Sequence, residues 1–328
     1  METKETKIPH LRLCVTKECP YNCLYCRPGG EACRYAGCKD MSLRQIHMLV
    51  QILADYGITH LKITGGEPLV RDDIPEMIRS LLSIKGIQDI QLVSRSPRIG
   101  VLAGQLKEAG LTSLNVSLDS LNPYTLLKIT RNGRLDLLLK AIRMAYQAVL
   151  SLKFNMVVMR GINDGEIHDM IEFVAQYKGT LKLLDLMNMP GEPKFLGNYY
   201  MPFESVNEFL SREAAEKSVE TPPGGVGTPM PKYIMPNGAI VLVKDARVGT
   251  WYSDVCVGCK NFPCQDAIMA LRLTSDGCLQ RCLLRNDNLI DLLSMVEKLE
   301  KSNVVKASIN TVLRTYHGAV YHEKAWEP

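Results

Sequence analysis

Short apolar runs alternate with longer amphipathic ones from Leu11 onward, and the alternation sets an order of elements. Leu11–Val15, His60–Thr64, Ile90–Ser94, Ser113–Leu118, Lys153–Val158 and Leu181–Met187 are rich in branched aliphatic residues and are predicted strands. Between them Ser42–Tyr56, Asp73–Ser83, Val101–Ala109, Asp136–Val149 and Asp164–Tyr177 carry helical periodicity, several opening on Ser or Asp as N-caps. Strands alternating with helices imply a parallel sheet with right-handed crossovers. Because no return pattern follows the sixth unit, the fold class is α/β, a partial (β/α)6 TIM-type barrel, whose function gathers at the C-terminal ends of the strands.

Residues 8–190 form this barrel. Residues 191–250 are a linker and cap: Pro- and Gly-rich stretches flank a helix near Phe203–Ala215, and Ile234–Val243 is a hairpin with an Asn237-Gly238 turn. Residues 251–328 hold a cysteine-rich group, a helix near Leu289–Glu300 and a basic, polar C-terminal segment. Hydrophobic residues at 46% and charged residues at 23% are ordinary for a globular chain, and no run reaches the length of a membrane-spanning helix. The polar N-terminus lacks a secretory apolar stretch, which predicts a cytoplasmic protein. A net charge of +4 is too small to indicate nucleic acid, though it permits a locally basic pocket.

Eleven cysteines, clustered toward both ends, suit metal chemistry in a reducing compartment better than a disulfide framework. Cys19, Cys23 and Cys26, spaced C-x3-C-x2-C after the first strand, bring three soft thiolate ligands to one loop. Structural zinc takes four protein ligands, whereas three thiols on a four-iron cluster leave one iron open. Ile63-Thr64-Gly65-Gly66-Glu67-Pro68 ends the second strand, where two glycines allow close backbone approach. Asn115-Val116-Ser117-Leu118-Asp119 ends the fourth.

These motifs together resemble the radical S-adenosylmethionine (SAM) superfamily. Over residues 11–190 the chain is similar to the MoaA family, the GTP 3',8-cyclases: the runs Leu61–Arg71, Ala109–Leu121 and Val157–Asp164 match that family's pattern. The resemblance implies a [4Fe-4S] cluster on Cys19, Cys23 and Cys26, reductive cleavage of SAM to a 5'-deoxyadenosyl radical, and SAM contacts at Tyr25, Gly65, Gly66, Glu67, Ser117 and Met187. Arg12, Lys62, Ser94 and Lys153 fall on positions that contact a nucleotide triphosphate or its sugar, with Arg272 reaching in from the tail. The implied partners are a phosphorylated small-molecule substrate and an electron donor such as flavodoxin or ferredoxin, with no nucleic acid and no membrane.

The tail departs from the family. Cys256, Cys259, Cys264, Cys278 and Cys282 suggest a second [4Fe-4S] cluster, held by Cys259, Cys264 and Cys282 with Cys256 or Cys278 as a further ligand; structural zinc is the alternative. Aligned on Arg272, the family register puts Cys282 at the third ligand but Gln265 and Ile268 at the first two, and Ala270 where an arginine is expected, while Cys264-x13-Cys278 keeps the family interval in another register. Val93-Ser94-Arg95-Ser96-Pro97 replaces a Thr-Thr-Asn-Gly run, and the Gly-Gly tail is missing. Cys33 and Cys38 read as spare thiols of a loop. The expected reaction is a cyclisation or C–C bond formation in a specialised pathway, the alternatives being the authentic GTP cyclase and a peptide maturase.

Overall fold

The computed structural model describes residues 8–26, 38–187, 197–222, 225, 227–260, 262, 264–266, 268–285, 287–298 and 302–323. Cys33 and the stretch 188–196 lie outside the described residues.

Strands β1 (Leu11–Cys14), β2 (His60–Thr64), β3 (Asp89–Ser94), β4 (Ser113–Ser117), β5 (Leu152–Val157) and β6 (Thr180–Leu184) lie side by side, all parallel and in chain order. The crossovers carry α1 (Leu43–Ala54), α2 (Ile74–Leu82), α3 (Arg98–Glu108), α4 (Pro123–Thr130), α5 (Leu135–Gln147) and α6 (Ile167–Ala175). Ser42 caps α1 in a reciprocal capping box with Gln45, as its position suggested. Asp73 instead gives its carboxylate to Arg71 and makes no side-chain cap bond to α2. Helix α4, not foreseen from periodicity, starts at Asn122, whose side chain accepts from the amides of Tyr124 and Thr125.

Parallel strands covered on both faces normally read as continuous apolar runs. Here they alternate. One face packs Leu61, Ile63, Ile90, Leu92, Leu114, Val116, Phe154, Leu181 and Leu183 into a core with helix residues such as Ile46, Leu49, Ile78 and Ile142. The other face is largely polar and lines the barrel interior. Period-two alternation thus builds an apolar outer layer and a wet, charged lumen from the same strands.

Eight further strands follow in chain order: β7 (Glu216–Glu220), β8 (Met230–Ile234), β9 (Ile240–Lys244), β10 (Thr250–Tyr252), β11 (Leu271–Leu273), β12 (Cys278–Gln280), β13 (Leu289–Asp291) and β14 (Val320–His322). β9 adds to β6 and β11 adds to β1, both parallel, so the run of parallel strands is longer than the six expected. Antiparallel β8 and β7 continue one edge and β12 and β13 the other, leaving the twelve-stranded sheet open; β10 and β14 form a separate ribbon. The expected hairpin is the β8–β9 pair, with Gly238 at φ +85° in its turn.

The helix near Phe203–Ala215 is α7 (Glu204–Glu213). The tail differs from expectation in two places. Leu289–Asp291 is a strand, and the helix there is only α8 (Leu292–Glu297), because Asp291 caps it at the amide of Ser294. The segment read as basic and polar forms α9 (Ser302–His317), which buries Ile309, Val312, Leu313 and Tyr316. Among the described residues no helix is long and apolar enough to cross a membrane.

Candidate active site

Alternation along the strands places charged side chains at matching heights. Arg12 of β1 lies in register with Lys62 of β2 and Arg272 of β11. Lys153 of β5 and Lys182 of β6 stand on the same inner face. Arg12, Lys62, Lys153 and Lys182 line a cavity of about 360 Å³, together with Tyr25, Ser117, Asp119 and Lys244. Lys244 pairs with Asp185 at 3.3 Å, but among the described residues Lys62, Lys153 and Lys182 form no ion pair. Burial, followed by the charges of Lys182, Arg12 and Lys153, drives the Lys62 ammonium well below its ordinary pKa. Burial and then Lys153 bring Lys182 down to about 8. Clustered like charge in a low-dielectric lumen is costly, and an anion in the cavity would relieve it.

At the C-terminal end of β1 the chain turns into the Cys19–Cys26 loop, and this loop is docked by backbone. The amides of Gly66 and Glu67 donate to the carbonyls of Thr16 and Glu18, each at 2.8 Å, and those of Asn22 and Leu24 donate to Thr130 and Ile129. A Cβ on Gly66 would meet the Glu18 carbonyl oxygen at 2.2 Å, and one on Gly65 the Thr16 carbonyl oxygen at 2.7 Å. The glycines therefore let one loop seat against another, a role the motif alone did not reveal. Cys19 and Cys26 are exposed and Cys23 is half-buried, with burial pushing the Cys23 thiol up to about 12.

Behind this loop lies a buried polar network. Tyr25, between the last two cysteines, donates to Asp119 at 2.8 Å. Arg95 donates through Nη2 to the Tyr25 hydroxyl at 2.6 Å and to Asp119 at 3.0 Å. Asp119 also accepts from the amide of Val157. Glu67 accepts from the Ser94 hydroxyl at 2.6 Å and from the amides of Arg95 and Leu69, while burial raises its pKa. Tyr25 reaches the cavity wall, so the cysteine loop and the cationic lumen share one boundary.

Of the expected substrate contacts, Arg12, Lys62 and Lys153 meet in the cavity. Ser94 lies behind it, bonded to Glu67, and Arg272 is buried with Nη2 3.3 Å from Asp266. Of the expected SAM contacts, Tyr25 and Ser117 line the cavity, Gly65, Gly66 and Glu67 brace the loop, and Met187 is half-buried beyond β6. Sequence reasoning missed Lys182, Arg95 and the role of Asp119. Lys182 was detectable, since Lys153-x-Asn155 and Thr180-x-Lys182 repeat the polar period of His60-x-Lys62.

In the tail, Cys256, Cys259, Cys264 and Cys282 line one pocket with Val255, Phe262, Leu284 and Arg285. Gln265 donates to the Leu186 carbonyl at 2.7 Å and Ile268 is fully buried, so neither takes a thiol's place. Cys256 and Cys259 carry the C-x2-C spacing, and Cys264 follows them before β11. Cys278 is buried on β12 and does not line this pocket.

An open α/β barrel with a three-thiol loop at the end of β1 and a glycine-seated turn at the end of β2 is the architecture of a radical enzyme. Residues 13–174 match the radical SAM superfamily. The chain is 34% identical over 289 residues to a probable GTP 3',8-cyclase of Thermococcus kodakarensis, covering 88% of each chain. It is 35% identical over 294 residues to one of Pyrococcus abyssi, covering 87% of this chain and 88% of that protein. Among solved structures, Streptococcus suis SuiB bound to S-adenosylmethionine superposes with a TM-score of 0.61 at 13% identity, over 93% of this chain and 68% of that one. The chain belongs to the GTP 3',8-cyclase family of the radical SAM superfamily, and it is a SAM-dependent radical enzyme whose family implies a [4Fe-4S] cluster.

Proposed function

We propose that the barrel cavity binds the phosphates of a nucleotide-like substrate, holding one of its C–H bonds for a cyclisation or C–C bond formation in a specialised pathway. The observation that carries this reading is the meeting of Arg12, Lys62, Lys153 and Lys182 on one cavity, with no ion pair on the three lysines among the described residues. A polyanion would match them with charge-assisted contacts. Radical abstraction needs the reacting carbon held still, and phosphate binding remote from that carbon can supply the positioning.

Bound on Cys19, Cys23 and Cys26, a [4Fe-4S] cluster with SAM supplies the 5'-deoxyadenosyl radical. The loop suits it: its thiols crowd a backbone-seated turn, and Tyr25 connects that turn to the cavity. Tyr25, Ser117 and Met187 would contact SAM, while Gly65, Gly66 and Glu67 hold the loop that carries the thiols. The tail thiols hold a second cluster, with electrons delivered by flavodoxin or ferredoxin. Residues 8–190 serve as the radical-generating barrel, 251–328 as the cluster-bearing region and 191–250 as the segment between. The names of the relatives favour a second reading, in which the nucleotide is GTP itself.

Anaerobic turnover with SAM and a reductant, following 5'-deoxyadenosine, tests this. Nucleoside triphosphates should stimulate product formation and the matching nucleosides should not. Arg12→Ala with Lys153→Ala removes two charged contacts of about 1.5–3 kcal/mol each, which should cost substrate-dependent turnover about 10²–10⁴-fold while sparing uncoupled SAM cleavage. Unchanged turnover in that variant, or turnover of a phosphate-free peptide, would overturn the reading.

A further inference from the structure

Resting on the reading that the tail carries a second cluster, we infer that Cys256, Cys259, Cys264 and Cys282 ligate all of its irons, so the tail site is closed to substrate. All four thiols border the same pocket, and the rest of its wall is Val255, Phe262, Leu284 and Arg285. The thiols are held by their backbones. The Tyr252 hydroxyl donates to the Cys264 carbonyl at 2.9 Å and accepts from the Cys264 amide at 3.0 Å, gripping both polar groups of that residue. Asn288 does the same for Cys282, accepting from its amide at 3.4 Å and donating to its carbonyl at 3.3 Å. Cys256 and Cys259 sit on successive tight turns, with the Cys256 amide donating to Ser253 and the Cys259 amide to Cys256. Arg285 donates to the Val255 carbonyl at 2.6 Å, tying the turn after Cys282 to the turn that begins the site.

A four-iron cluster needs one outside ligand per iron. Three thiols leave a position open, as in the Cys19–Cys26 loop, and four leave none. The residue that closes the tail site is Cys264, the further thiol between Cys259 and β11. In this protein, substrate binding therefore falls to the cations of the barrel and not to an iron of the tail.

The test uses the full chain with Cys19, Cys23 and Cys26 all changed to Ala, so that only the tail site is loaded. After anaerobic reconstitution, about four irons per chain should remain. The electron paramagnetic resonance spectrum of the reduced cluster should be unchanged by millimolar GTP. Adding Cys264→Ser should alter that spectrum while keeping the iron, and adding Cys264→Ala should open one iron, seen as a three-iron signal after mild oxidation. Zinc in place of iron, or no iron at all, sinks the second cluster itself. Iron present with a spectrum that shifts on GTP, or one indifferent to both Cys264 changes, overturns the closed site alone.

Discussion

The two thiol regions flank neighbouring strands, β1 and β11, which run parallel with Leu11 opposite Leu271, yet their surroundings are opposite in kind. The first presents Cys19 and Cys26 to the outside, and behind them lies the charged network of Tyr25, Arg95, Asp119 and Glu67. The second keeps its thiols half-buried or buried, walled by Val255, Phe262, Leu284 and Arg285 and gripped by Tyr252 and Asn288. A site that must admit a polar cosubstrate needs an exposed thiol edge and polar groups nearby. A site that only has to hold its own group can do so behind a mostly apolar wall, with its thiols drawn in from the surface.

The largest effect should come from breaking the seat of the first loop. In Gly66→Ala the new methyl would collide with the Glu18 and Lys17 backbone, which cannot yield as a flexible side chain could. The loop must lift away, and iron should fall from about eight per chain to about four, the tail site alone remaining. Full iron content in this variant would mean the seat is dispensable and the two regions differ less than proposed.

Next in size is the network behind that loop. Arg95→Met removes the cation from a pair whose partner, Asp119, is 1% exposed. Leaving one buried charge without its partner costs about 3–5 kcal/mol, to be read as a lower unfolding midpoint in denaturant with no change in the slope. Adding Asp119→Asn should recover part of the loss. A loss as small as that of a surface change would show that Tyr25 and the Val157 amide satisfy Asp119 unaided.

The lumen should be sensitive to pH in a defined direction. Lys182 has a folded pKa of about 8, below the ordinary 10.5, so the fold penalises its charged form. That penalty is complete below about pH 8, and the ligand-free protein should gain stability as pH rises from there toward 10.5. A polyanion favours the charged lysine. Triphosphate affinity should therefore weaken as pH rises through about 8, by roughly ten- to a hundredfold for one charged contact, and binding should take up protons. Terminal phosphates titrate near pH 6, well below this window. Calorimetry at pH 8.5 in two buffers of different ionisation heat checks the sign, and proton release would remove Lys182 from the site.

Much of this arrangement could be read before the structure. β2 matches His60–Thr64 at both ends, and four of the other five expected barrel strands agree to within one residue at either end, because each carries an apolar period of its own. Leu181–Met187 also falls on β6, with the last three residues beyond the strand. The joining of β9 to β6 and of β11 to β1 was hidden, since such pairing depends on distant chain and leaves no local mark. β10, β11, β12, β13 and β14 have three residues each, too short to show a period. α9 did carry a signal, with Val305, Ile309, Val312 and Tyr316 on one stripe, but its charged face dominated the reading. At the first thiol site the three cysteines stood out in the sequence and the network did not: Arg95 and Asp119 are far apart in sequence and meet only because β3 and β4 are neighbours.

The smallest effect should come from Cys278, and it sharpens the contrast between thiols that build a site and thiols that fill a core. Cys278 begins β12, fully buried, with its amide donating to the Thr274 hydroxyl and its carbonyl accepting from Thr274. Those bonds belong to the backbone and survive a change of side chain. Cys278→Ala removes one buried sulfur, a loss of about 1 kcal/mol, typical of a mild core truncation. Iron content and the tail-cluster spectrum should stay as in the parent chain. Cys282→Ala, four residues further on, just past the end of β12, and only slightly more exposed, should instead strip or alter the tail cluster. If Cys278→Ala lost iron and Cys282→Ala kept it, the four-thiol set would have to be redrawn around β12.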